Sequence, residues 1–87
     1  MIIFLICNGN FAETSAGLAA ENMFLAAKSL GVNSCWVEFG KFALKDEALS
    51  QKLGITKADK CIAPLIFGYA DGEPEIPAKR ELDVRWL

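Results

Sequence analysis

The stretch Thr14–Gly31, TSAGLAAENMFLAAKSLG, restricts what this chain can become more than any other part of it. Gly17 is its one internal breaker, Ala, Leu and Met dominate it, and it closes on a glycine suited to a left-handed C-terminal cap. The pattern predicts a helix of about four to five turns. Thr14 or Ser15 offers a hydroxyl to an orphaned backbone N–H at its start. Glu21, Asn22, Lys28 and Ser29 are the interruptions in an otherwise apolar or small surface, so no wide polar face is left for water. Such a helix is expected to be buried nearly all round. A chain of 87 residues hides only roughly 60–65% of its unfolded surface, enough for one small core. The expectation is that a second polypeptide shields part of this helix, and that leucine in place of Ala19, Ala20 or Ala26 would disturb its packing.

Composition narrows the function classes. With 53% hydrophobic residues and a net charge of -2, the chain is neither a disordered segment nor an electrostatic surface for nucleic acid. No apolar run approaches the ~18 residues of a membrane span, and the N-terminus lacks the basic segment and cleavage site of a signal peptide. A soluble cytoplasmic protein is expected. Cys7, Cys35 and Cys61 stand singly in apolar segments, without a CxxC pair and with no histidine anywhere, so no metal site is expected and the three read as small buried hydrophobes. Without histidine, Ser/His and Cys/His nucleophilic catalysis is also excluded from this chain alone. Any chemistry must come from a cofactor or another chain.

Along the chain, Ile2–Cys7 is a continuous apolar run rich in β-formers, ended by the Asn8-Gly9-Asn10 cluster, and it reads as a strand buried on both faces. The loop after it has neither the GxGxxG nor the GxxxxGK[ST] spacing of a phosphate loop. Asn33–Glu38 predicts a second strand anchored by Trp36. Asp46–Leu53 predicts a short helix, acidic in its first turn, with Lys52 in its last and Gly54 just beyond. The third strand is expected to begin only after Pro64, because proline cannot donate to a central ladder, and to end near Gly68. Residues 1–70 thus form the core. Residues 71–87, with two of the three prolines and both signs of charge, form an extended arm tipped by Trp86 and Leu87. Leaving those two in water forgoes roughly 1.5–3 kcal/mol each, so the tip is expected to dock on the body or on a neighbour. Pattern alone suggests a three-layer α/β unit with a parallel sheet.

The segments AAENMFLAAKSLGVNSCWVEFG, DEALSQKLGIT and APLIFGYADGEPEIPAKRELDVRWL, in that order and spacing, resemble the C-terminal half of the FMN-dependent nitroreductase family. The resemblance runs from Ala19 to the end and carries the family's asparagine-bearing helix, its LGxxSCW turn, its LGI, its GY and its arginine-containing tail. It implies an α+β fold, a nitroreductase-like half. One long and one short helix would pack on a three-stranded antiparallel or mixed sheet, with the last strand between the other two. It further implies a homodimer formed along the long helix, with the arm crossing to the partner subunit.

The chemistry implied by the resemblance is transfer of reducing equivalents from NAD(P)H through FMN to a nitroaromatic, quinone or similar acceptor, the flavin carrying the reaction. Val37-Glu38-Phe39-Gly40 resembles the segment whose backbone approaches the flavin ring. Lys79-Arg80 resembles the basic tail residues that hold its phosphate. Asn22 reads as a structural residue of the helix pair. Family members also carry an N-terminal half bearing an Arg- and Ser-containing flavin motif, which has no counterpart in these residues. The same fold therefore admits a second reading, a dimerisation or assembly module without catalysis.

Overall fold

A computed structural model describes residues 1–73 and 75–87. Pro74, part of the expected arm, lies outside them, as does the side chain of Cys61, one of the three cysteines read as buried. The elements run β1 (Ile2–Cys7), α1 (Ala12–Ser29), β2 (Asn33–Trp36), a 3-10 segment (Glu38–Lys45), α2 (Glu47–Lys52) and β3 (Cys61–Gly68). The three strands form one sheet in the order β1-β3-β2, with both pairings antiparallel. The parallel three-layer sheet suggested by pattern is thereby corrected, and the α+β arrangement with the last strand in the middle is what forms. Antiparallel pairing follows from the connections: α1 returns the chain to the far edge, and β3 comes back between its two predecessors.

The core is one side of this sheet against one stripe of α1. Ala12, Ala16, Ala20 and Ala27 recur at helical spacing and are buried against Ala63, Leu65 and Phe67 of β3. Ile3, Leu5, Cys7, Phe24 and Trp36 pack around them, with the Phe24 and Phe67 rings 6.2 Å apart. Alanine along the helix lets its backbone approach the sheet closely. The fully buried part of the sheet-facing stripe is thus made of alanines, with Met23 and Phe24 packed at its margin, while two other large residues face outward: Leu18 is 67% exposed and Leu25 61%. The expectation of a helix buried all round does not hold within one chain. It holds for one face only.

Boundaries differ in instructive ways. α1 begins at Ala12, two residues before the expected cap, because Gly9 (φ 91°) turns the chain early and the Ser15 N–H already donates to the Phe11 carbonyl at 2.9 Å. No side chain caps this end, so Thr14 and Ser15 lie in the first turn. The C-terminal expectation holds, with Gly31 at φ 75° just past the last helical residues. In α2 the Asp46 carboxylate accepts from the Ala48 N–H at 3.0 Å, a true N-cap, and Gly54 follows at φ 71°.

The larger correction concerns Pro64, which lies inside the central strand, opposite Phe4. A residue of an antiparallel strand aims its N–H and C=O at the same neighbour. The Pro64 carbonyl accepts from the Val37 N–H at 2.9 Å, so its missing donor faces the β2 side, at the point where β2 has ended at Trp36. The ladder to β1 loses nothing. For the same reason β2 does not extend to Glu38 as expected.

Beyond β3 the chain is held once, where the Ala70 N–H donates to Asn33 Oδ1 at 3.1 Å. From there on no hydrogen bond or ion pair joins the arm to the rest of the described residues. Trp86 is 92% exposed and Leu82 and Leu87 are exposed with it. The radius of gyration is 15.8 Å, against about 12 Å for a compact domain of this length. Docking of the tip on its own body is thus ruled out for this conformation.

Candidate functional site

The chain leaves β2 through Val37 and turns into the 3-10 segment that holds Glu38, Phe39 and Gly40. Val37 and Gly40 have backbone commitments: the Val37 N–H donates to Pro64, and the Gly40 N–H donates to the Val37 carbonyl at 2.9 Å. The Glu38 and Phe39 N–H groups, at the open start of the helical turn, have no recorded partner among the described residues. Gly40 is required by packing. A Cβ placed there would meet the Pro64 Cβ at 2.8 Å, so the ring of Pro64 occupies the space that the glycine leaves.

Glu38 is pinned from two directions, by Lys41 Nζ and by Trp36 Nε1, which donates at 2.7 Å. The Lys41 ammonium first, and the indole N–H second, hold its carboxyl below the usual carboxylate range. Phe39 stacks on Phe42 with centroids 6.0 Å apart and planes within 13°, and Lys45 Nζ stands 4.8 Å from the centre of the Phe42 ring. Both phenyl rings face solvent. Phe42 is a feature the sequence reading passed over. Its signal was the i, i+3 spacing from Phe39, which in a 3-10 turn places two side chains directly above one another.

Lys79 and Arg80 are exposed, and neither forms an ion pair among the described residues. Asp83, a neighbour in sequence, instead stands 3.9 Å from Arg85. No hydrogen bond or ion pair brings Lys79-Arg80 to Val37–Gly40. Within one chain these are two separate features, an aromatic turn with two amides that have no partner among the described residues and a basic pair on the arm. Asn22 is exposed on α1 and lines neither. Separately, an open groove of about 350 Å³ lies between the ends of β1 and β2, lined by Ile2, Asn33, Cys35, Ile66 and Tyr69 among others. Cys35 is exposed there, against the expectation of a buried cysteine; β2 turns alternate residues away from α1, and the 3-10 segment that covers this face at Pro64 leaves Cys35 open.

Among the described residues no group of His, Cys, Asp or Glu is arranged to hold a metal ion, and no helix is long and apolar enough to cross a membrane. Neither the curated proteins nor the solved structures gave a match. The nitroreductase family model does match, over residues 8–69, from the turn after β1 to the end of β3. That span takes in α1, the aromatic turn and the strand that orders the sheet, and the chain belongs to the nitroreductase family.

Proposed function

We propose that this chain is an FMN-dependent, nitroreductase-like oxidoreductase subunit, moving reducing equivalents from NAD(P)H to a nitroaromatic, quinone or similar acceptor. The observation that carries the reading is the turn at Val37–Gly40, where two unpartnered N–H groups sit beside an exposed aromatic pair. Amide donors suit the heteroatom edge of a planar ring system, and the phenyl faces suit its apolar surface. Lys79 and Arg80 suit the phosphate end, since they are cationic and uncommitted. FMN, when bound, supplies the redox chemistry.

The residues of this chain have narrower tasks. Glu38 and Phe39 donate from the backbone, while the Glu38 side chain, tied to Trp36 and Lys41, keeps the turn in its donating conformation. Gly40, seated on Pro64, fixes how far the turn stands above the sheet. The two half-sites belong to one pocket only if a second polypeptide joins them, so the active form is proposed as a homodimer with α1 at its contact and residues 71–87 reaching across. A cytoplasmic setting is proposed with it, where an exposed thiol such as Cys35 stays reduced.

Titration with FMN tests the reading. Binding is expected to quench flavin fluorescence and raise the melting temperature, and the double change Lys79→Ala, Arg80→Ala is expected to weaken it by roughly 10- to 100-fold through loss of charge-assisted bonds. Protein that stays colourless and is unaffected by saturating FMN would leave the assembly-module reading in its place.

A further inference from the structure

Lys41, Leu44 and Lys45 of the 3-10 segment line one open cleft of about 330 Å³ together with Asp59, Lys60 and Ile62, where the chain enters β3. Backbone bonds fix its place at the Cys7 end of β1: the Lys60 N–H donates to the Cys7 carbonyl at 3.0 Å, and Ile62 pairs with Ile6. Leu44 and Ile62 are half-buried and give the cleft an apolar lining. Its three ammonium groups differ in what already holds them. Lys41 is paired with Glu38. Lys45 Nζ stands 4.8 Å from the centre of the Phe42 ring, a contact that positions the charge without neutralising it. Lys60 forms no ion pair among the described residues. The carboxylate of Asp59 is turned to the Thr56 N–H, which donates to it at 2.8 Å, and it pairs with none of the three lysines. In a chain of net charge -2, two uncommitted cations thus share one cleft, and the acid beside them is bound elsewhere.

We infer that this cleft binds a small phosphate monoester with an apolar body. Lysine ammonium groups act as point charges with three donors each, which suits the three oxygens of a phosphoryl group. The planar fork that selects a carboxylate belongs to arginine, and no arginine lines the cleft. A phosphate monoester carries about −1.5 to −2 charges near pH 7, so it gains from Lys45 and Lys60 together, where a single negative charge gains less. Leu44 and Ile62 cover the organic part, removing from water apolar area that free phosphate does not have. Asp59 opposes the anion from one wall, so the site is weak and its affinity falls with salt. Val37–Gly40 and Lys79-Arg80 lie outside the cleft, and the inference does not rest on the flavin reading.

Titration of the intact 87-residue chain with phenyl phosphate, without FMN and at a constant ionic strength of about 50 mM, tests this through backbone amide shifts. The shifts are expected to centre on Leu44, Lys45, Lys60 and Ile62. The double change Lys45→Gln, Lys60→Gln is expected to weaken binding about tenfold, and Lys57→Gln, outside the cleft, to alter it by less than about twofold. Asp59→Asn, which keeps an acceptor for the Thr56 amide, is expected to tighten it about threefold. Phenyl sulfate, similar in shape but with one negative charge, and inorganic phosphate, without the ring, are each expected to bind at least about threefold more weakly. Shifts centred instead on Lys79 and Arg80, equal losses from Lys57→Gln and from the double change, or weaker binding in Asp59→Asn overturn the inference. So does phenyl sulfate or inorganic phosphate that binds as tightly as phenyl phosphate, or the lack of a saturable shift up to about 20 mM.

Discussion

β3 and the arm that follows it are eight and seventeen residues long, and they behave in opposite ways. β3 has a strand on each side and a helix over one face, so Ala63 and Leu65 are fully buried. The arm includes larger apolar side chains, among them Ile76, Leu82 and Trp86, and every one of its described residues is exposed. Hydrophobicity of the residue does not decide the outcome. What decides it is whether a second surface arrives to share the burial, and within one chain that surface reaches β3 only.

The contrast is sharpest at Leu65. Leu65→Ala is expected to cost about 2–5 kcal/mol, since a fully enclosed site has little freedom to collapse, and urea denaturation reads it as a lowered midpoint with an unchanged slope. A cost below about 1 kcal/mol would mean that β3 is not the anchor it looks to be. Next in size is the pair of helix faces. Ala20→Leu meets the sheet and is expected to cost about 1–3 kcal/mol, whereas Ala19→Leu and Ala26→Leu point away from it and leave the monomer unchanged. If those two nevertheless shift the sedimentation coefficient, the outward face of α1 is a contact between subunits.

A smaller effect separates the aromatic turn from both regions. The carboxyl of Glu38 titrates below its ordinary range, so its contribution to the folded state is present above the unfolded carboxylate pKa and is lost as pH falls through its own lowered value. In a Trp86→Phe background, Trp36 fluorescence is expected to change over that acid window, and Glu38→Gln to flatten the change. A profile identical in both proteins would detach the indole from the turn's electrostatics. Smallest of all, Trp86→Ala is expected to move dilute monomer stability by less than about 0.5 kcal/mol. A larger loss that appears only at high concentration would show the arm held by another chain.

Local chemistry was legible where the residues act locally. The bounds of β1, the helical C-terminus at Gly31 and the Asp46 cap follow from runs, a glycine and a side-chain oxygen. The strand order followed from the family resemblance and not from periodicity, which pointed to parallel pairing. Errors arose where a partner in space decides the matter. Whether Pro64 is tolerated depends on which neighbour its nitrogen faces, and the small-residue stripe of α1 is visible as a face only once the sheet is against it. Val37–Gly40 and Lys79-Arg80 were selected by resemblance, and among the described residues no hydrogen bond or ion pair of one chain joins them.

Pro64 also sets direction. Because the middle of the sheet withholds one donor just where β2 stops, the strand beside it has no incentive to continue, and the chain is released sideways over the ring that withheld it. A fold that needed a loop to stand above its sheet at a set height could install one with a single imino acid and a facing glycine. Substituting either member alone would change the elevation of everything from Val37 to Lys45.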